Sequence, residues 1–118
     1  MEFNNNIPIY IQVIDFIKKD IATGVLKPGD KLLSGRELAL KYQINPNTAN
    51  RVYKELEVQE VCFTKRGLGT FVTEDSMKMK SLKEEMASDL LDKFIEGMKD
   101  LGFTKDELIN LLNSRYEN

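Results

Sequence analysis

The stretch from Asn45 to Leu56 constrains the fold more than any other part of this 118-residue chain. Asn45 can accept a hydrogen bond as an N-cap, and Pro46 then stands at the first helical position, where its missing N–H costs nothing. The two residues together predict the start of a helix. Apolar residues follow at the spacing of one helical stripe, namely Ala49, Val52, Tyr53 and Leu56.

The opposite face of this predicted helix is polar and carries Asn47, Thr48, Asn50, Arg51 and Lys54. Asparagine can pair with the edge of an adenine, threonine can meet a base or a phosphate, and arginine and lysine can neutralise phosphates. This mixture suits the major groove of DNA. Polar outer faces are also common on ordinary surface helices, so the helix taken alone fits both interpretations equally.

The residues before this stretch predict two further helices. Pro8 opens a pattern that runs to Ala22, in which Tyr10, Val13, Ile14, Ile17 and Ile21 line one face. After a turn at Pro28-Gly29, Lys31 to Leu33 is long enough for a very short strand. Ser34-Gly35-Arg36-Glu37 matches a capping box and predicts a helix from Gly35 to Tyr42. Together with the stretch that starts at Asn45, this short helix makes a helix-turn-helix.

The residues after the stretch predict a β-hairpin with a cationic tip. Val61 to Thr64 and Thr70 to Val72 are rich in strand-forming residues, and Lys65-Arg66-Gly67-Leu68-Gly69 supplies the turn. Such a hairpin behind a recognition helix is a wing. Lys65 and Arg66 can contact phosphates or a minor groove, and Gly67 lets the backbone approach DNA closely.

The last part of the chain predicts an α-hairpin. Thr73 to Lys80 is interpreted as a polar linker that merges into a helix, with a capping box at Ser81-Leu82-Lys83-Glu84 and a helix end at Gly102. Thr104-Lys105-Asp106-Glu107 then caps a final helix. The hairpin has too few residues for a core of its own, so its apolar stripe needs a partner. We expect the same tail of a second copy to supply it, through Leu90, Leu91, Phe94, Ile95, Met98, Leu101, Leu108, Leu111 and Leu112.

Composition narrows the functions that the chain can have. It contains no histidine, which excludes imidazole catalysis, Ser-His-Asp triads and histidine metal sites, and we expect no cofactor, no metal and no enzymatic activity. The single cysteine, Cys62, excludes an internal disulfide and suits a reducing compartment. No apolar run is long enough to span a bilayer and the start of the chain is polar, so a cytoplasmic protein is expected.

The order and spacing of several separated motifs resemble the GntR family of bacterial transcription regulators, in particular its small YtrA-type branch. The resemblance spans roughly Ile7 to Val72 and is carried by Pro8-Ile9-Tyr10 with Gln12, Gly24 to Leu32, Arg36-Glu37-Leu38-Ala39, Asn45-Pro46-Asn47-Thr48, Tyr53-Lys54-Glu55-Leu56 and Arg66 to Val72. It implies a mainly α fold with a small β-hairpin, made of a winged helix-turn-helix domain over residues 1–75 and a two-helix dimerisation tail over residues 76–118.

By this resemblance the chain is a homodimeric regulator, often a repressor in this family, that binds double-stranded operator DNA of two-fold symmetry, and genes of this branch frequently lie beside transporter genes. The implied DNA contacts are Arg36, Asn47, Thr48, Asn50, Arg51, Arg66 and Gly67, to which the charge pattern adds Lys54 and Lys65. The chain departs from the family pattern at Leu33-Ser34-Gly35, at Asn50 and at Gln59-Glu60. The last departure predicts that the recognition helix overruns before the wing.

Four questions stay open at the level of sequence. The net charge of −2 also fits a winged helix that binds a protein and not DNA. The tail could pack on the winged domain of its own chain. A small-molecule effector could bind between two tails near Met86, Phe94 and Met98, although core packing is the commoner role for such residues. Cys62 could be either a redox switch or a small core residue.

Overall fold

The computed structural model describes residues 3–116 as five α-helices and one two-stranded antiparallel sheet. This confirms the predicted mainly α fold with a winged helix-turn-helix. The elements in chain order are α1 (Ile9–Ala22), α2 (Gly35–Tyr42), α3 (Pro46–Val58), β1 (Cys62–Lys65), β2 (Gly69–Val72), α4 (Ser76–Asp100) and α5 (Lys105–Arg115).

The described residues form two compact units, one up to Lys83 and one from Glu84 onward. The first unit holds the buried core, in which α3 packs against both α1 and α2. All four residues of the predicted inner stripe of α3 are buried, as are the inward residues of α1 apart from Tyr10, which is only half-buried. The predicted boundary between a DNA-binding domain (residues 1–75) and a dimerisation tail (residues 76–118) stays a prediction.

The two helices of the helix-turn-helix begin where the sequence predicts. Ser34 accepts a hydrogen bond from the backbone N–H of Glu37 at 3.1 Å while the Glu37 carboxylate accepts one from the Ser34 N–H at 2.8 Å, which completes the capping box. The Asn45 side chain accepts from the Asn47 N–H at 2.7 Å, with Pro46 in the first turn. Local capping therefore fixes both helix starts.

The wing, which we define as residues 62–72, is a hairpin in which Cys62 pairs with Val72 and Lys65 with Gly69. The predicted strand at Lys31 to Leu33 is reduced to one bridge, between Lys31 and Phe71. Two further backbone hydrogen bonds, from the Leu32 N–H to the Thr70 carbonyl and from the Val72 N–H to that of Asp30, hold residues 30–32 beside β2. The segment before α2 is thus attached to the wing.

The predicted overrun of the recognition helix is wrong. α3 ends at Val58, and Glu60 takes the left-handed conformation, with φ of 60°, that is most easily adopted by glycine. The Glu60 N–H donates to the Glu57 carbonyl at 2.9 Å and the Val61 N–H to that of Leu56 at 2.9 Å. These two hydrogen bonds close the end of α3 in the same way as in a helix that ends at a glycine. The turn directs Val61, which is 1% exposed, into the core.

The predicted capping box at Ser81 is also wrong, because α4 already begins at Ser76. Asp75 accepts hydrogen bonds from the N–H groups of Met77 at 3.0 Å and Lys78 at 3.3 Å, as an N-cap does. Residues 76–80, interpreted from sequence as a linker, are therefore the first turns of a helix. Leu82 on that helix is buried in the first unit.

The second unit consists of the rest of α4 and of α5, and its helix ends follow the sequence. Gly102 has φ of 85°, and the Phe103 N–H donates to the Met98 carbonyl at 3.0 Å. Thr104 and Glu107 form the predicted capping box. From Glu84 to Tyr116, in contrast, no hydrophobic side chain is fully buried. None of the helices described in residues 3–116 has the length and apolar character needed to cross a membrane.

Candidate nucleic-acid interface

The outer face of α3, which we define as Asn47, Asn50, Arg51 and Lys54, is exposed along its whole length. It lies opposite the buried stripe, as the helical period requires. Thr48, at the flank, is half-buried. The helix thus presents amides and cations outward from a start fixed by Asn45 and Pro46, while the core immobilises its other side.

One flank of this face meets the beginning of α2. A Cβ atom at position 35 would lie only 2.6 Å from Oδ1 of Asn50, so the Asn50 side chain rests against the bare backbone of Gly35. Two departures from the family pattern are therefore spatial neighbours. The Tyr53 hydroxyl, on the same flank, donates a hydrogen bond to the Leu33 carbonyl and holds the segment before α2 against α3. Burial raises the pKa of Tyr53, which keeps its hydroxyl a donor.

The other flank meets the first turn of α1. The guanidinium carbon of Arg51 lies 3.8 Å from the centroid of the Tyr10 ring. The helical pattern predicts Tyr10 on the inward face of α1, but the residue lies at the edge of that stripe. Its ring covers the arginine, and the residue is half-buried.

The wing brings a second set of cations to the same unit. Nζ of Lys65 lies 5.6 Å from the ring centroid of Phe63 and 5.3 Å from that of Phe71, which are themselves stacked. The aromatic pair holds this ammonium on one face of the hairpin. Arg66 and Gly67 form the exposed tip, where Gly67 has φ of 80°.

Lys31 is a basic residue near the wing that sequence analysis missed. Its Cε lies 2.8 Å from the position that a Cβ on Gly69 would occupy, so its stem packs on the bare backbone of β2. An open groove of about 420 Å³ runs between the start of α2 and the wing and is lined by Lys31, Leu32, Ser34, Gly35, Glu37, Thr64, Lys65, Gly67, Leu68, Gly69 and Thr70. The pairing of residues 30–32 with β2 creates this proximity, and no local pattern signals it.

Two acidic groups near these cations already have hydrogen-bonding partners. The Glu37 carboxylate completes the capping box, and its hydrogen bonds with Ser34 lower its pKa. Glu57 accepts a hydrogen bond from the Thr64 hydroxyl. Arg36 is exposed in the first turn of α2. Residues 31–72 include seven basic and four acidic side chains, so the surface formed by α2, α3 and the wing can present local positive charge although the chain as a whole is acidic.

Cys62 lies behind this surface in the core. It is 4% exposed, and its thiol donates a weak hydrogen bond to the Tyr53 carbonyl at 3.9 Å. Burial raises the pKa of the thiol to about 12, so the reactive thiolate is scarce at neutral pH. This environment favours the core interpretation of Cys62 over the redox switch.

The family model for the gntR family of bacterial regulatory proteins matches residues 9–72, from the first helix to the end of the wing. The chain belongs to the GntR family. The HTH-type transcriptional repressor YtrA of Bacillus subtilis is 40% identical over 98 residues, which are 78% of this chain and 75% of that protein. The relatives that this chain matches are named as transcriptional regulators or repressors.

Solved structures of GntR regulators have the same fold. A GntR family transcriptional regulator from Listeria monocytogenes superposes with a TM-score of 0.91 at 40% identity, over 97% of this chain and all of that one. The DNA-binding domain of AraR, crystallised in complex with its operator ORR3, has a TM-score of 0.55 at 29% identity, over 62% of this chain and 86% of that domain. The GntR fold is therefore one that is known bound to operator DNA.

Proposed function

We propose that this protein is a sequence-specific repressor that acts as a homodimer on an operator of two-fold symmetry in the bacterial cytoplasm. The observation that carries the proposal is the outer face of α3, which is exposed, polar and held between α1 and α2 in a GntR winged helix. The resemblance to the YtrA-type branch adds transporter genes as the expected targets.

The proposed contacts divide into two groups by chemistry. Asn47, Asn50 and Arg36 are assigned to base edges, because amides and guanidinium groups can make paired hydrogen bonds there. Phosphate contacts, which supply most of the affinity, are assigned to Thr48, Arg51, Lys54, Lys31, Lys65, Arg66 and the backbone at Gly67. Lys31 joins this group because it lies beside Gly69 in the groove next to the wing.

The second unit supports the homodimer. Leu90 is 71% exposed, Leu91 is 55% exposed and Leu101 is 74% exposed. An apolar cleft of about 380 Å³ opens between α4 and α5 and is lined by Phe94, Met98, Leu111, Leu112 and Arg115. So many exposed apolar side chains are unfavourable in water and mark an interaction surface. A second copy of the same hairpin would bury them, and the resulting dimer would have the same two-fold symmetry as the operator. We assign the cleft to the partner protomer in preference to a small-molecule effector.

Recovery of bound genomic fragments tests this function. The full-length chain is mixed with sheared DNA of its source organism at low and at moderate salt, and the retained fragments are sequenced. We expect few fragments, each with an inverted repeat whose half-sites lie about one helical turn, or a multiple of it, apart. If each protomer neutralises five phosphates through Lys31, Arg51, Lys54, Lys65 and Arg66, the slope of log affinity against log salt for the dimer is roughly −9.

The same experiment distinguishes the alternative of a protein-binding winged helix. A module of that kind would retain no discrete set of fragments and would show no steep salt dependence. Retention of many unrelated fragments with a steep salt dependence would contradict sequence specificity while leaving DNA binding intact.

A further inference from the structure

The motif Pro8-Ile9-Tyr10 with Gln12 has no part in the DNA contacts proposed above, yet the structure connects it with one of them. The guanidinium group of Arg51 lies over the ring of Tyr10, with its central carbon 3.8 Å from the ring centroid. This separation is van der Waals contact between a cation and the negative face of an aromatic ring. A residue of α1 therefore determines where an exposed arginine of α3 lies.

Gln12 fixes the turn that presents Tyr10. Its Nε2 donates to the carbonyl oxygens of Asn4 at 2.7 Å and Ile7 at 2.8 Å, and its Oε1 accepts from the Asn4 N–H at 2.8 Å. Pro8 occupies the N-cap of α1 and provides no side-chain cap. The three hydrogen bonds of Gln12 replace such a cap by tying the preceding segment to the first turn.

The stack leaves the arginine able to bind a phosphate. A guanidinium carbon 3.8 Å from a ring centroid is too close for the group to point an edge at the ring, so the contact uses the guanidinium face and leaves the N–H donors at its edge available. A free arginine side chain must give up rotamer freedom when it meets a phosphate, and an arginine already held in place gives up less. Stacking on Tyr10 therefore lowers the cost of the contact.

We propose that Tyr10 is a positioning residue for DNA binding, which holds Arg51 ready for a phosphate on the flank of the recognition helix. The inference rests on the proposed function, since it concerns the efficiency of that binding. It assigns the motif at the start of the chain to DNA binding through Arg51, and not only to the core of α1.

A double-mutant cycle in the full-length chain tests the inference. The probes are the duplex of about 30 base pairs that the unsubstituted chain enriches most from a random library, long enough for two half-sites, and a scrambled duplex of the same composition. The variants are Tyr10→Leu, Arg51→Ala, their combination, and Tyr10→Phe as the matched control that keeps the ring. Thermal unfolding confirms that each variant is folded.

We expect Tyr10→Leu to weaken binding about two- to fivefold on both duplexes, the size of an exposed cation–π contact, because phosphates are common to both. Tyr10→Phe should bind like the unsubstituted chain. In the Arg51→Ala background, Tyr10→Leu should cause no further loss. Equal losses in both backgrounds, no loss in either, or tighter binding after Tyr10→Leu would overturn the inference, the last because it would show that Tyr10 withholds Arg51 from DNA.

A measurement on the free protein gives an independent check. The Hε resonance of Arg51 in an NMR spectrum should be shifted upfield by the Tyr10 ring, should stay shifted in Tyr10→Phe and should return to the ordinary range in Tyr10→Leu. An unshifted resonance in the unsubstituted chain would overturn the stack itself. If the unsubstituted chain enriches no duplex at all, the proposed function fails and the inference fails with it, whereas an uncoupled cycle on a duplex that binds well removes only the inference.

Discussion

The two units of this protein contain helices with similar apolar stripes but give those stripes opposite environments. In the first unit the stripe of α3 is covered on all sides, and Val52 and Leu56 have no exposed surface. In the second unit Leu90 and Leu101 are more than two-thirds exposed. An amphipathic pattern thus predicts that one face of a helix will be buried, but it does not identify the element or chain that buries it.

The helices of the second unit are nevertheless well formed at their ends. Thr104 and Glu107 make a complete capping box, and Gly102 closes α4 in the left-handed conformation. Local signals of this kind give a helix its limits, while most of its stability in a protein comes from packing. The difference between the units therefore lies in tertiary contacts, and a second copy of the chain would remove it.

The largest expected effect contrasts two leucine truncations. Leu56→Ala, in the core, should lower the free energy of unfolding by about 2 to 5 kcal/mol at every protein concentration. Leu90→Ala should cost little in dilute solution and more as concentration rises, because the proposed partner of Leu90 is another chain. Urea unfolding followed by tyrosine fluorescence at two concentrations measures both. A concentration-independent loss of the same size for Leu90→Ala would contradict the contrast.

A charge on the tail should break the proposed dimer. Leu90→Glu combined with Leu91→Glu places like charges on both sides of a two-fold interface, and we expect the dimer dissociation constant to rise about a hundredfold or more. The matched control is Leu40→Glu, since Leu40 is 74% exposed on a helix of the first unit and Leu90 is 71% exposed. Sedimentation velocity gives the result, and equal effects of the two changes would refute the assignment of the interface to the tail.

The smallest effect concerns matched helix ends in the two units. Glu60 in the first unit and Gly102 in the second occupy equivalent left-handed positions, with φ of 60° and 85°. Glu60→Gly should raise the free energy of unfolding by about 0.5 to 1 kcal/mol, because it relieves strain at the end of α3. Gly102→Ala should weaken the end of α4 by about 1 kcal/mol, since its Cβ would meet open space and only the backbone would be strained. Thermal unfolding of both variants checks the opposite signs, and equal signs would contradict the account.

The parts of the fold that sequence predicts correctly are those that local chemistry decides. The capping boxes at Ser34 and Thr104 and the Asn45-Pro46 start all lie at observed helix ends. The prediction of a capping box at Ser81 is wrong because a capping side chain stabilises only the first turn of a helix. Asp75 already starts α4, and the residues between are good helix formers.

Sequence also predicts the candidate nucleic-acid interface only where local pattern decides it. The exposure of Asn50 and Arg51 follows from the helical period, but their neighbours do not. The contacts of Tyr10 with Arg51 and of Lys31 with Gly69 join residues far apart in sequence and depend on how elements pack. The turn at Glu60 is likewise set by the need to bury Val61, which overrides the local preference for glycine.

The most direct test of the central claim, that the outer face of α3 chooses the operator, is the affinity of Asn50→Ala for the selected duplex and for a scrambled one. Arg66→Ala serves as the control, because a phosphate contact is blind to sequence. We predict that Asn50→Ala loses about 1 to 3 kcal/mol on the operator and little on the scrambled duplex, whereas Arg66→Ala weakens both alike. Equal losses on the two duplexes from Asn50→Ala would contradict the claim.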